Sequence, residues 1–379
     1  MNTIFQNAVQ RTTVPFRYDI VGSFLRPRAI KDARSKFAGG QISENELKKV
    51  EDEEIIKLVD KQKQVGLKAV TDGEFRRSWW HLDFMWGLDG VEKAALETGY
   101  QFNGEVTRAE TARLCGKIQF GSHPFLEHFK FLKRIAGDEV IARQTIPAPA
   151  QFLAELQRAE NIPSTRQFYS STQSLAADIA QAYRDAIQAF YSLGCRNLQF
   201  DDCTWGMFCD RNYWESRVNS DINVNDTAAL YLALNNAALE GHPSDMVITT
   251  HVCRGNYHST WASSGGYEPI AEVLFGQENV AGYYLEFDTD RAGDFSPLRF
   301  VNHDKQVVLG LVSSKLGELE NKELIVSRIR ETAKYLPINQ LCLSPQCGFA
   351  STEEGNILTE EQQWNKIRFI KEIADEIWK

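Results

Sequence analysis

Two stretches of this chain repeat one plan. "KLVDKQKQVGLKAVTDGE" (57–74) and "AIQAFYSLGCRNLQFDD" (186–202) each run from an amphipathic helix to a glycine (Gly66, Gly194), a basic residue, a short apolar strand and then acids. Glycine suits the left-handed position that ends a helix. An uninterrupted apolar run suits a strand covered on both faces, as in a parallel sheet flanked by helices.

Following that alternation predicts strands near 18–23, 67–71, 144–148, 197–201, 246–251, 282–286, 306–312 and 341–344. Helical periodicity fills the gaps: Leu47, Val50, Leu58 and Val65; Leu175, Ile179, Ala182, Ala186 and Phe190; Leu230, Leu234 and Leu239; Leu324, Val326, Ile329 and Ala333; Trp364, Ile367, Ile370 and Ile377. Thr359 with Gln362 reads as a capping box. No Pro/Ser-rich hinge or like-charge block divides the chain. The expected fold is α/β, a (β/α)8 TIM barrel over residues 1–379, preferred to a doubly wound open sheet, with a long insertion after strand 2 at about 76–143.

A net charge of -9 opposes binding to a phosphate backbone, so nucleic acid is not an expected partner. The N-terminal "MNTIFQNAVQRTTVPF" has no signal pattern, and no apolar run is of membrane-spanning length, so the expectation is a cytoplasmic protein without a membrane partner. Seven cysteines, an odd count, argue against a disulfide framework. Cys115, Cys195 and Cys342 read as small buried hydrophobes.

In a barrel, working groups belong at the C-terminal ends of the strands. Asp72 and Glu74, Asp201 and Asp202, His251 and Cys253, Glu286 and Cys347 all fall there. His251, Cys253, Cys347 and one acid make a ligand set for zinc, the thiolates disfavouring magnesium or calcium, and spacing leaves open which acid joins them. Two thiolates temper the Lewis acidity of such an ion, which directs the chemistry toward activating a thiol, and hence toward thiol alkylation. Trp79, Trp80, Trp86, Trp205, Trp214 and Trp261 lie on the same presumed face, either as a flat cleft for a ring-bearing substrate or as core. Arg76 and Arg77 are placed to meet an acidic substrate tail or to stand as a solvated pair.

The segments "VGSFLRP" (21–27), "TDGE" (71–74), "LQFDD" (198–202), "HVC" (251–253), "YLE" (284–286) and "SPQCG" (344–348) together resemble the catalytic, C-terminal barrel of cobalamin-independent methionine synthases, in particular their short single-barrel relatives. The resemblance implies Glu286 as the fourth zinc ligand. It implies that Glu74 and Asp201 hold the amino group of homocysteine and that the Gly22–Ser23 turn receives its carboxylate. The implied reaction is methyl transfer to homocysteine, with 5-methyltetrahydrofolate or its polyglutamate as donor. Where the family places a proton-donating histidine, this sequence has Lys315, and "DDCTW" replaces the family's Asp-Glu-Pro. Small-molecule substrates are the expected partners, and the sequence does not define an oligomeric state. Zinc-dependent alkylation of another thiol of the coenzyme M type, and non-catalytic binding of homocysteine or folate, are the competing readings. A uroporphyrinogen-type decarboxylase would not need the four ligands.

Overall fold

The computed structural model describes residues 3–218 and 223–379. Its strands are β1 (Ala69–Val70), β2 (Asp89–Ala95), β3 (Gln101–Phe102), β4 (Glu105–Val106), β5 (Glu110–Gln119), β6 (Ile141–Pro147), β7 (Asn197–Asp202), β8 (Val247–Val252), β9 (Gly282–Glu286), β10 (Gln306–Val312) and β11 (Leu341–Pro345). Seven of them form one curled parallel sheet in the order β1-β6-β7-β8-β9-β10-β11, TIM-barrel-like, with helices outside it. The wholly buried run of β10, "QVVLGLV", is what a strand covered on both faces requires.

The strand expected at 18–23 is reduced to one bridge, Tyr18 with Leu343, beside two backbone hydrogen bonds of 2.9 Å joining Asp19 and Arg17 to Leu343. The reason is local. Side chains take the carbonyls that a neighbouring strand would use: Arg143 donates to Ile20 O (2.6 Å), Gln199 to Val21 O (2.7 Å) and Thr71 to Gly22 O (2.5 Å). Phe24 N–H then donates to Gly73 O (3.1 Å), so residues 17–24 link the β11 edge of the sheet to the loop after β1.

The helix Thr172–Ser192 buries Leu175, Ile179, Ala182, Ala186 and Phe190 as its periodicity predicts, and the capping box at Thr359 and Gln362 opens the helix Glu360–Ile377. Leu324 departs from expectation. It is exposed in the first turn of Lys322–Thr332, where its N–H donates to the Asn321 cap, and Ile325 and Ile329 face the core instead. Cys195 and Cys342 are buried, but Cys115 is exposed because β5 alternates its faces and Leu114 takes the inner one.

Residues 71–140, between β1 and β6, carry the antiparallel pair β2–β5, the small hairpin β3–β4 and the helices Leu82–Trp86 and Pro124–Ala136. The hairpin reaches over the strand ends, where Asn103 N–H donates to Trp261 O (2.8 Å).

A buried polar network braces the outer face of β7. Asn235 donates to both Asp202 Oδ2 (3.0 Å) and Glu278 Oε1 (2.9 Å) and accepts from Ala150 N–H (2.9 Å). Burial, followed by the charge of Asp202, pushes the Glu278 carboxyl up to about 8 from its ordinary 4.5. Between those values the folded chain keeps a proton that the unfolded chain has lost, so this group weakens stability as pH rises through that window. Glu278→Gln should therefore gain on the parent by roughly 1 kcal/mol per pH unit between pH 5 and 8. Urea unfolding of both proteins at three pH values checks this, and a constant gap refutes it.

Candidate metal centre

His251 ends the inner run of β8, Cys253 follows two residues later on the same side, Glu286 closes β9, and Cys347 lies just past β11. One ligand atom from each of these four buried side chains lies within 4.8 Å of every other. The two sulfurs are 3.7 Å apart. His251 Nδ1–H donates to Tyr284 O (3.1 Å), which fixes the tautomer and leaves Nε2 as an acceptor with no hydrogen-bond partner. An orphaned imidazole nitrogen beside two thiols and a carboxylate fits a cation, and the sulfur fits a transition metal rather than magnesium or calcium.

Glu286 accepts from Arg254 N–H (3.0 Å) and from Arg291 (3.2 Å). Burial alone would raise its carboxyl, yet the positive charges of Lys315, Arg254 and Arg291 hold it below the usual range. The Cys253 thiol also accepts from Gly255 N–H (3.3 Å). Close packing places these groups. A side chain at Gly206 would lie 2.1 Å from Cys253 O, and one at Gly348 would lie 1.9 Å from Ser23 Oγ.

A cavity of about 480 Å³ opens onto the cluster, and Ser23, Glu74, Asp201 and Cys203 stand on its wall beside His251, Cys253 and Cys347. Glu74 Oε1 accepts from Thr145 (2.9 Å) and lies 3.4 Å from Arg77, while its Oε2 has no partner. Asp201 accepts from Gln199 (2.9 Å). Burial pushes both carboxyls up, and the charge of Glu74 adds to the rise at Asp201. Two buried acids in one pocket favour a cationic guest that would let both ionise.

Arg76, Trp205 and Lys315, all expected at the site, lie off this wall. Arg76 pairs with Asp52 and Glu51 and covers the Phe131 ring. Trp205 is fully buried against Phe208. Lys315 is buried and donates to Asn256 Oδ1 (2.7 Å) and Gly255 O (3.4 Å). Of the six tryptophans expected on this face, only Trp79 and Trp80 line the cavity; Trp86, for example, donates to Thr111 O (3.0 Å) instead. Sequence reading missed His81, Tyr100, Phe102 and Tyr257, which complete the wall. They sit on or beside short loops without periodicity, and the only available signal was their aromatic density near the strand ends.

A family model described as the catalytic domain of cobalamin-independent synthases matches residues 163–363. The uncharacterized Bacillus subtilis (strain 168) protein YxjH is 46% identical over 380 residues, covering 100% of this chain and 99% of its own. The crystal structure of a Listeria monocytogenes protein, provisionally named a vitamin-B12 independent methionine synthase, is 40% identical with a TM-score of 0.77, over 97% of this chain and 100% of that one. A B12-independent methionine synthase from Shewanella sp. W3-18-1, solved with selenomethionine, shares the fold at 17% identity and a TM-score of 0.71, over 95% and 97% of the two chains.

Titration with cobalt(II) should give one equivalent of an ion with thiolate-to-metal charge-transfer absorption. Cys253→Ser and Cys347→Ser should each weaken that band and lower affinity at least tenfold, while Cys115→Ser, on the exposed face of β5, leaves it intact. An undiminished band in both ligand variants would remove the site.

Proposed function

Because the chain belongs to the cobalamin-independent methionine synthase family, we propose that it transfers a methyl group to the thiol of homocysteine, forming methionine. The observation that carries this reading is the His251, Cys253, Glu286 and Cys347 cluster opening onto a cavity that also holds Glu74 and Asp201. Those four residues would hold zinc, which when bound lets a thiol lose its proton near neutral pH.

The remaining tasks fall to the chain itself. Glu74 Oε2 and Asp201 would accept from the homocysteine ammonium, whose charge would offset the burial that raises both carboxyls. Ser23 Oγ accepts from Ala350 N–H (3.3 Å), so its own O–H remains available to the substrate carboxylate. Lys315 would act through its charge on Glu286 rather than by touching the donor. A sulfonate thiol of the coenzyme M type would bring an anion against two acids, so the amino-acid thiol is the better match. We read the whole chain as one (β/α)8 barrel of this enzyme type, with the Tyr18–Leu343 bridge standing where its first strand was expected and about 76–143 inserted after the second.

Zinc-edge X-ray absorption on the zinc-loaded protein should count two sulfur ligands alone and three with homocysteine. Bound zinc with an unchanged count would remove homocysteine as acceptor. Asp201→Asn should raise the KM for homocysteine by roughly tenfold or more, equivalent to one lost charge-assisted hydrogen bond, at unchanged zinc content. An unaltered KM would separate Asp201 from the ammonium.

A further inference from the structure

Aromatic rings share the cavity wall with the metal cluster and its acids. Trp80, Phe102 and Tyr257 border the cavity, with Phe102 and Tyr257 rings 5.6 Å apart and Trp80 stacked on His81 at 4.5 Å. The hairpin β3–β4 supplies Phe102 and holds it against Gly255, where an added side chain would meet the ring at 2.9 Å. Among the described residues, Arg158 is the one Lys or Arg on the wall. Its guanidinium lies over the Tyr100 ring (4.4 Å) and within 3.8 Å of both Glu155 and Glu160. Wall carboxyls at Glu74, Asp201 and Glu160 outnumber that cation.

This lining selects for charge. Aromatic faces attract an organic cation, and an anionic tail would meet carboxylates with no free base to receive it. Protonation points the same way. A donor that leaves as an amine must receive a proton. Burial pushes His81 down to about 3, so it carries no proton to give near neutral pH. Lys315 is tied to Asn256 and Gly255 off the wall, and the functional reading above reserves Glu74 and Asp201 for the homocysteine ammonium.

We propose that the second substrate is an onium compound, a sulfonium or quaternary ammonium bearing the methyl group, seated between Trp80, Phe102 and Tyr257. This rests on the reading of the protein as a homocysteine methyltransferase. The sulfur of homocysteine forms the new S–CH3 bond as the bond from that carbon to the onium atom breaks. The electron pair of the broken bond stays on the onium atom, which leaves as a neutral sulfide or tertiary amine. The thiol proton passes to solvent, so no acid is required. Opposite charges vanish in this step, and a cavity of low polarity accelerates such a reaction.

The test begins with binding, using trimethylsulfonium and tetramethylammonium ions titrated into the full-length, zinc-loaded protein and followed by calorimetry. Saturable binding is expected, about tenfold weaker in Trp80→Leu and in Phe102→Leu, and unchanged in Trp86→Leu. Methionine formation from homocysteine is then compared with S-methylmethionine, glycine betaine, 5-methyltetrahydrofolate and its triglutamate as donors. Turnover with the first upholds the proposal for a sulfonium, and with the second for an ammonium. The proposal is overturned by the absence of saturable ion binding, by binding that Asp201→Asn removes and Trp80→Leu does not, or by methionine formed from the folates alone. Trp80-dependent ion binding without any homocysteine turnover upholds the cation subsite and overturns instead the choice of acceptor.

Discussion

The register of the parallel ladder across β7, β8 and β9 fixes everything else at the site. Asp201 stands opposite His251, and His251 opposite Tyr284. Parallel strands end on one rim, so an acid, an imidazole and a carboxylate from distant parts of the chain meet without any loop having to carry them there. Period-two alternation then places Cys253 on the same side as His251. The carbonyl that orients the His251 ring belongs to Tyr284, its ladder neighbour, so the tautomer is inherited from sheet pairing. A slip of one residue would turn the imidazole and the thiol to the other face together.

Beneath this rim the interior of the sheet is held by charge as well as by apolar packing. Arg143, fully buried on β6, donates to Asp19 Oδ2 (2.9 Å), Ile20 O (2.6 Å) and Asn197 Oδ1 (2.6 Å), and Tyr284 O–H donates to the same Asp19 oxygen (2.9 Å). One guanidinium thus joins residues 17–20 to β6, β7 and, through Asp19, β9. Buried pairs of this kind add little net stability when intact, but removing one partner leaves a charge stranded, at about 3–5 kcal/mol. Their value here is geometric. Residues 20–22 have no strand partner along their length, and the side chains of Arg143, Gln199 and Thr71 set the path that delivers Ser23 to the cavity.

The legible parts of the sequence were those with a period or a rare chemistry. Seven of the expected strands coincide with sheet strands to within about three residues, because continuous apolar runs after glycine have few other uses. His251, Cys253 and Cys347 stood out as residue types that seldom gather without cause, whereas Glu286 was picked from the nearby acids only by the family resemblance. What escaped was set by packing between segments far apart in sequence. Nothing at Arg76 announces that Asp52, on the helix Glu44–Gln64, will claim it. Trp205 looked like a cleft residue until the helix Thr204–Phe208 turned it inward. The hairpin carrying Phe102 has strands of two residues, too short to show any alternation.

Glu74 draws these strands of argument together. It is a non-glycine residue in the left-handed region, with φ of 61°, following Gly73 at 67°. That conformation costs roughly 1–2 kcal/mol for a residue with a Cβ. Its side chain adds a second cost, since Oε2 is buried without a partner. The surroundings impose both: Asp72 Oδ1 accepts from Glu74 N–H (2.9 Å), Thr145 donates to Oε1, and Arg77, itself donating to Thr145 O (2.7 Å), closes the arrangement. Arg77 therefore acts here as a brace for a carboxylate rather than as a contact for a substrate tail. A fold that needed only stability would place glycine or asparagine at position 74 and would leave no carboxylate oxygen unanswered. Holding an acid there, on the cavity wall beside Asp201, suits the ammonium site proposed above.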